Sequence, residues 1–318
     1  MGLPTVIQRN LEMKRFIGVF QGIAPSTAGQ QTSTLQITAA YNFLEFYLIL
    51  GNLTAAMIQQ IRVKIGGDVI QRWQGTQLNT RLLYDKVPSS ATNGVLTLPM
   101  RRLGVRGGFS LIDFAAKKFV PGTARDLSTE SSLNCGSAGG GYGAIENVSI
   151  EVDIINTGAS QPTLSVYARC TAPIPGGPGA VYRVDQQTKT ISNGTVTITK
   201  PEMGLDALRP YLNRIALFTP DAGTTFDNFL LRYGTNDWMQ VSAALLKQTA
   251  EMDALHTTQT GLYVIDFQEQ GWGDTVLDLS NPNADILLQF TASGITTLPT
   301  LVYYPETIGA PFAPNAQG

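Results

Sequence analysis

Alternation of apolar and polar residues dominates the chain. In residues 61–65, 150–154 and 195–199 every second side chain is aliphatic. A β-strand points successive side chains to opposite faces of its sheet, so a period of two gives one face to a core and the other to polar surroundings. The pattern therefore predicts many half-buried strands.

Turn-forming residues separate these runs at short intervals. Glycine and asparagine recur between the strands, as at 66–67, 92–94, 156–158, 192–194 and 271–273. These two residue types enter tight turns readily, because they tolerate backbone conformations that other side chains disfavour. Many short strands joined by such turns predict a β-sandwich or a β-barrel.

One segment near the midpoint has the composition of a linker. Residues 171–179 have the sequence TAPIPGGPG, and three prolines with three glycines favour neither a helix nor a central strand. Each half of the 318-residue chain is long enough to bury a core of its own. We therefore predict one domain at 1–171 and another at 181–318, with a Pro/Gly linker at 172–180.

The two halves repeat the same order of predicted elements. Each has a strand, a loop, a strand that ends before a glycine, a short second strand, a helix, a further strand and a closing pair of strands. In the first half these are 44–48, 61–65, 69–73, helix 76–84, 95–98, 148–154 and 164–168. In the second half they are 214–218, 229–233, 238–241, helix 243–252, 262–267, 286–290 and 301–304.

The helices are predicted to cover a barrel end or flank. Ser242 is the expected N-cap of the second helix, because its hydroxyl can accept a bond from a first-turn N–H. Leu245, Thr249 and Met252 form one stripe of that helix, and Leu78 and Leu82 have the same part in the first. The halves differ mainly at about 101–143, where the first carries an insertion that we expect in loops.

Composition argues against several classes of function. Only 14% of residues are charged and the net charge is -2, so no basic face is predicted for direct contact with nucleic acid. No apolar run is long enough for a membrane-spanning helix, and residues 1–20 lack the features of a signal peptide. Cys135 and Cys170 are expected to be free thiols rather than a disulfide.

Candidate chemistry is sparse. His256 is the single histidine, which argues against Ser-His, Cys-His and multi-histidine metal sites, and we expect it at the surface or at a helix end. The glycine-rich residues 136–143 lack the Lys-Ser/Thr of a phosphate-binding loop. No catalytic and no cofactor-binding residue is predicted.

Two questions about ligands stay open. The acidic pairs are Asp266 with Glu269 and Asp274 with Asp278. They leave room for a structural calcium ion with unknown ligands, because calcium binds the oxygen atoms of such loops.

The tryptophans pose the second question, because exposed indoles stack on sugars. Trp73, Trp238 and Trp272 are the three in the chain. Two of them, Trp73 and Trp238, lie near equivalent places of the repeat, which favours a shared packing role over a sugar-binding platform.

A family resemblance covers most of the chain as an order of elements. Residues 58–71, IQQIRVKIGGDVIQ, followed by the helix start at 75–78, resemble the N-terminal barrel of corticovirus-type major coat proteins. Residues 214–216, 229–238 and 263–267 resemble their C-terminal barrel.

The resemblance implies an all-β fold of two tandem eight-stranded jelly-roll barrels, a double jelly roll, with short helices in loops. It further implies a major capsid protein of a membrane-containing icosahedral bacteriophage. In such a shell three chains form a six-barrel, nearly hexagonal tile over an internal lipid membrane.

The implied partners are the chain itself, neighbouring trimers, a penton or vertex protein, and minor membrane-associated virion proteins. The protein is then expected to be made in the cytoplasm of a bacterial host and to reside in the virion.

The N-terminal segment allows two readings. Arg9, Lys14 and Arg15 are interleaved with Leu11, Phe16 and Phe20. The segment is expected either to reach toward the membrane or a neighbouring trimer, or to form an ordinary first strand.

Two other functions are possible for tandem jelly-roll barrels. A tandem jelly-roll glycan-binding protein, such as a receptor-binding spike, requires clusters of Trp or Tyr on loops. An enzyme of the cupin type requires clustered histidines, which a single histidine cannot supply.

Overall fold

The structure is a computed structural model, and its description covers most of the chain. The described residues are 13–24, 30–38, 41–101, 103, 109–113, 118–125, 132–135, 148–155, 160–173, 181–205, 211–252, 256–267, 277–278 and 285–309.

The first half of the chain contains eleven described strands. They are β1 (Met13–Val19), β2 (Gln30–Ile37), β3 (Asn42–Gly51), β4 (Ile58–Ile65), β5 (Asp68–Trp73), β6 (Val95–Pro99), β7 (Phe109–Asp113), β8 (Lys118–Arg125), β9 (Leu133–Asn134), β10 (Val148–Ile155) and β11 (Thr163–Thr171).

The second half contains ten described strands. They are β12 (Val181–Val184), β13 (Gln187–Thr190), β14 (Gly194–Thr199), β15 (Tyr211–Phe218), β16 (Thr225–Tyr233), β17 (Asn236–Val241), β18 (Leu262–Asp266), β19 (Leu277–Asp278), β20 (Ile286–Ser293) and β21 (Thr300–Gly309).

Three short α-helices interrupt the strands in the described residues. They are α1 (Gly75–Tyr84), α2 (Ser90–Asn93) and α3 (Ala243–Met252). The predicted cap of α3 is confirmed, because the Leu245 N–H donates to Ser242 Oγ at 3.2 Å.

The strands form two barrels, and each barrel has two four-stranded layers. In the first barrel the layers are β1-β11-β3-β6 and β5-β4-β10-β2, and in the second they are β18-β15-β21-β12 and β14-β20-β16-β17. Short strand β9 extends the first of these layers, and β13 and β19 both extend the layer β18-β15-β21-β12. This is the predicted double jelly roll, and every strand and helix of the predicted repeat is present.

Apolar side chains fill both barrels. Phe43, Leu48 and Val166 are fully buried in the first, and Phe229 and Phe290 are buried in the second. The core of the first barrel continues into the second, because buried residues of β12, β15, β18 and β21 pack against it. The apolar core of the first barrel therefore continues across the contact between the two barrels.

The insertion at 101–143 is described in part. Strands β7 and β8 form an antiparallel pair of their own, and β9 pairs with β3. The glycine-rich segment 136–143 lies outside the described residues.

The predicted stripe of α3 is corrected by the structure. Leu246 and Ala250 face the core, whereas Leu245 and Met252 are exposed. In α1 the predicted pair, Leu78 and Leu82, is buried as expected. The α3 helix is apolar on two faces, so its sequence alone did not select the buried one.

The domain boundaries at 171 and 181 stay a prediction. Strand β11 ends at Thr171 and β12 begins at Val181.

Candidate assembly surfaces

A continuous sheet joins the two barrels. Strand β12 pairs antiparallel with β21 on one side and parallel with β5 on the other, where Val184 is opposite Gln71. The buried Gln71 amide donates to the carbonyl oxygens of Pro99 at 2.8 Å and Tyr182 at 3.3 Å. Backbone and side-chain hydrogen bonds thus fix the register of this junction.

Aromatic side chains pack across the junction. The Trp73 ring stacks on Tyr304 with centroids 4.7 Å apart and planes at 22°. Phe218 meets the same tyrosine edge-on at 5.7 Å. The Tyr304 hydroxyl donates to Gln77 of α1, so a buried ring from the second barrel is held by the first on two sides.

A buried charge cluster lies beside these rings. The Arg81 guanidinium of α1 donates to both carboxylate oxygens of Glu306, at 2.7 and 3.1 Å, and to Asp85 at 2.7 Å. The Tyr182 hydroxyl donates to Glu306 at 2.5 Å. Burial opposes the charge on Arg81, but Asp85 and Glu306 outweigh it, so the pKa of Arg81 is raised well above its ordinary value.

Arg214 completes this cluster from β15. Its guanidinium donates to Asp266 at 2.6 and 2.9 Å and approaches Asp85 at 3.3 Å and Glu306 at 3.6 Å. The side chain is fully buried. Every described member of the cluster therefore has an opposite charge within reach, as a buried charge requires.

His256 also belongs to the cluster, which corrects the expectation of a surface position. The ring is buried and stacks on Tyr84 with centroids 4.5 Å apart. Its Nδ1 lies 3.1 Å from Asp85 Oδ1, without the alignment of a hydrogen bond, and its Nε2 lies 3.6 Å from Asp266 Oδ2. The histidine thus packs the barrel junction between Tyr84 and two carboxylates.

A smaller polar group lies on the outer face of β3. Glu45 accepts bonds from Tyr47 at 2.7 Å and Arg101 at 3.0 Å, and Arg169 approaches it at 3.6 Å. Burial alone would raise the pKa of Glu45, but the Tyr47 hydrogen bond and the Arg101 charge hold it below its ordinary value. The carboxylate is thereby kept ionised.

Large apolar side chains are exposed near two strands. Phe16 of β1 is 55% exposed and touches Tyr167 of β11 edge-on at 5.3 Å. Trp238 of β17 is 50% exposed and contacts Phe267 at 5.2 Å. The expected packing role is confirmed for the buried Trp73, whereas Trp238 packs on Phe267 with half of its side chain exposed and Trp272 lies outside the described residues.

The other sequence candidates do not assemble into a reactive site in the described residues. Asp266 accepts a hydrogen bond from Arg214. Glu269 and Asp274 lie outside the described residues, and of Asp278 only the backbone is described. No group of three His, Cys, Asp or Glu suited to a metal ion occurs among the residues described.

The two cysteines are buried free thiols, as expected. Burial raises the pKa of Cys135 to about 12, so this thiol stays protonated near neutral pH.

The described part of the N-terminal segment starts with an edge strand, β1. Residues 13–19 form β1, which pairs with β11, whereas Arg9 and Leu11 lie outside the described residues. None of the described helices has the length and apolar character of a membrane span.

Residues 20–171 match the family model described as viral coat protein P2 N-terminal domain. The first barrel is a viral coat protein domain. Its matched segment ends with the last strand of the first barrel. A comparison with curated proteins gives no match.

Solved structures show that the coat-protein fold extends over both barrels. The major capsid protein P2 of bacteriophage PM2 is 19% identical with a TM-score of 0.71, over 95% of this chain and 99% of that chain. The PBCV-1 virus capsid protein is 11% identical with a TM-score of 0.58, over 96% and 95%. The STIV major capsid protein is 12% identical with a TM-score of 0.55, over 94% and 95%.

The coat protein thus has the double jelly-roll fold and the function of a major capsid protein. Such proteins assemble with copies of themselves into the capsid shell, and the place of this coat protein is the virion. The surfaces that matter most for its function are therefore those that meet other copies.

Proposed function

We propose that three copies of the coat protein form a trimer of six barrels, which tiles an icosahedral bacteriophage shell over an internal lipid membrane. The observation that carries this proposal is the side-by-side junction of two barrels with the same layer order. Three such pairs around an axis give a nearly hexagonal outline, and hexagonal tiles cover a flat facet.

The proposal includes further partners and one exclusion. Neighbouring trimers, a penton or vertex protein and minor membrane-associated virion proteins meet the trimer, and nucleic acid does not contact it directly. The chain is made in the cytoplasm of a bacterial host. Its role is structural, without enzymatic activity and without a cofactor. A structural calcium ion stays a prediction.

Light scattering of the full chain tests the trimer. We expect a mass of three chains at moderate protein concentration and larger assemblies at higher concentration. Repeating the measurement with calcium and with a chelator tests the ion, because a bridging calcium would shift the mass distribution. A chain that stays monomeric at high concentration would contradict the proposal.

The rival glycan-binding function has one observation in its favour, the half-exposed Trp238. An indole on a surface offers an apolar face to a sugar ring. Glycan-array binding by the parent chain that is lost in Trp238→Ala would support the rival, whereas no binding by the parent would remove it.

A further inference from the structure

The in-chain junction joins two four-stranded layers into one sheet. The order across it is β18-β15-β21-β12 from the second barrel, followed by β5-β4-β10-β2 from the first. The edges that meet are β12 and β5, and they run parallel.

Each of the two layers joined at the junction has an equivalent in the other barrel, and these two equivalent layers are not joined to each other within the chain. The layer β6-β3-β11-β1 belongs to the first barrel, and the layer β17-β16-β20-β14 belongs to the second. In the repeat they correspond, strand by strand, to the two layers that the junction joins. Their edges β1 and β17 correspond to β12 and β5, and no described strand pairs with the outer side of either edge.

Details of register support this correspondence. On β11 and β21, the strands next to the edges β1 and β12, Tyr167 and Tyr304 hold equivalent places and are followed two residues later by Arg169 and Glu306. Lys14 pairs with Arg169 as Val184 pairs with Glu306.

The partner edges match as well. Strand β5 has an unpaired residue at Ile70 before Gln71, and β17 has one at Trp238 before Met239. Lys14 and Met239 are therefore the equivalents of Val184 and Gln71, the pair that forms the in-chain junction.

The helix faces beside these edges follow the same correspondence. In α1 the side chains toward the second barrel are Gln77, Arg81 and Tyr84. Counting from the helix starts at Gly75 and Ala243, their equivalents in α3 are Leu245, Thr249 and Met252. The stripe that meets the second barrel in α1 is thus repeated in α3, where Leu245 and Met252 are exposed and Thr249 is half-buried.

Exposed apolar residues concentrate at these two edges. Of the eight large hydrophobic side chains exposed in the described residues, seven lie there, and the eighth is Leu298. The β1 surface consists of Met13, Phe16, Val19 and Tyr167, and the β17 surface consists of Trp238, Leu245 and Met252. Concentrated apolar exposure beside an unpaired strand edge is typical of a contact surface.

We propose that the β1 surface of one copy binds the β17 surface of the next, with β1 parallel to β17 and Lys14 opposite Met239. The proposal rests on the proposed trimer and names its contact. Two different surfaces meeting head to tail close a ring when the rotation between copies allows it. Six similar junctions then alternate around the ring, three within chains and three between them.

Two surface variants of the full chain test the contact. Phe16→Ser with Tyr167→Ser alters the β1 surface, and Leu245→Ser with Met252→Ser alters the β17 surface. Each alone is expected to reduce the mass to one chain, because every contact in the ring needs both surfaces. Leu298→Ser is the matched control and is expected to remain a trimer.

Mixing the two surface variants gives the sharper result. Each variant keeps the surface that the other has lost, so one intact contact can form between unlike chains. We expect dimers of one chain of each kind and no trimers. Formation of this dimer also shows that both variants are folded, and circular dichroism checks each one separately.

A cross-link tests the register. Lys14→Cys with Met239→Cys in one chain places thiols on opposed residues of neighbouring copies, within the Cα separation of about 4.4–6.8 Å that a disulfide requires. Mild oxidation is expected to give covalent dimers and trimers. Lys14→Cys with Leu298→Cys is the control and is expected to give none.

The outcomes separate the inference from the proposed function. A trimer that persists in both surface variants and forms no cross-link would overturn the inference and leave the trimer standing. Dimers formed by one surface variant alone would also overturn it, because they require like surfaces to meet. A monomeric parent chain would overturn the trimer and the inference together.

Discussion

Arg214 shows most clearly how single residues hold the two barrels in one arrangement. It is fully buried and neutralises carboxylates that arrive from both halves of the chain, Asp85 before the linker and Asp266 and Glu306 after it. A buried ion pair adds little net stability compared with an apolar pair, but a buried charge without its partner is costly. The cluster therefore disfavours any arrangement that separates its members.

Replacing Arg214 by Met is expected to lower the free energy of unfolding by about 3–5 kcal/mol, because the buried Asp266 loses the guanidinium that donates to it twice. Urea unfolding followed by tryptophan fluorescence measures the change. Arg232→Met is the matched control, since Arg232 pairs with Asp237 at the surface, and its unfolding is expected to match the parent. Equal midpoints for the two variants would contradict the role of the cluster.

Glu45 is expected to contribute a pH-dependent part of the stability. Its pKa in the folded chain lies below the ordinary value of 4.5, so its contribution is present above pH 4.5 and is lost as the pH falls through the lowered pKa. Glu45→Gln should therefore be less stable than the parent at neutral pH, and the difference should shrink in acid. A difference that stays constant from pH 7 to pH 3, in unfolding at fixed protein concentration, would contradict this.

The position of His256 could not be predicted from the sequence. Its neighbours Tyr84 and Asp85 are more than 150 residues away in the sequence, on the other side of the linker, so no local pattern indicates the contact. Local pattern indicates only that a histidine follows a helix, which favours a surface position. The charge cluster as a whole was missed for the same reason, because its members show no common spacing.

Elements were easier to predict, because alternation and turn residues are local signals. Strand β4 ends at Ile65 before Gly66, which has a φ of 57°, and β16 ends at Tyr233 before Gly234, with a φ of 59°. These left-handed turns favour glycine. The buried face of α3 was not predictable, because both its faces are apolar.

The starts of the two equivalent helices allow a matched test. A Cβ at Gly75 would meet the carbonyl oxygen of Ala55 and lie 2.8 Å from Ile58 Cβ. Gly75→Ala is expected to destabilise by about 1–3 kcal/mol through this overlap. Ala243→Gly at the equivalent position is expected to cost about 1 kcal/mol, because helix propensity and the packing of one half-buried methyl group are lost.

Thermal unfolding of both variants measures these differences. A neutral Gly75→Ala would show that the chain near Ala55 moves aside at little cost, contrary to the expected overlap.

At the scale of the whole molecule, the shared sheet and shared core couple the two barrels. The tandem repeat was visible in the sequence, but the continuous sheet was not. Strand β12 has four residues and directly follows the linker, so it carries no alternating pattern long enough to recognise. Its parallel pairing with β5 depends on the docking of two folded barrels.

We expect the parent chain to unfold in a single calorimetric transition, because the core of the first barrel includes residues of the second. Trp73→Ala removes the ring that stacks on Tyr304 and is expected to cost about 3–5 kcal/mol. It should also separate the transition into two, since the second barrel has an apolar core of its own. Two transitions in the parent would contradict this coupling.

The linker between β11 and β12 has a consequence for how the shell comes apart. A tether this short keeps the two halves of the in-chain junction at an effective concentration in the millimolar range or above, on the order expected for short linkers. Dilution therefore acts on contacts between chains and leaves the contact within each chain closed. The smallest particle that a dissolving shell releases is accordingly the intact two-barrel chain, already aligned for the next round of assembly.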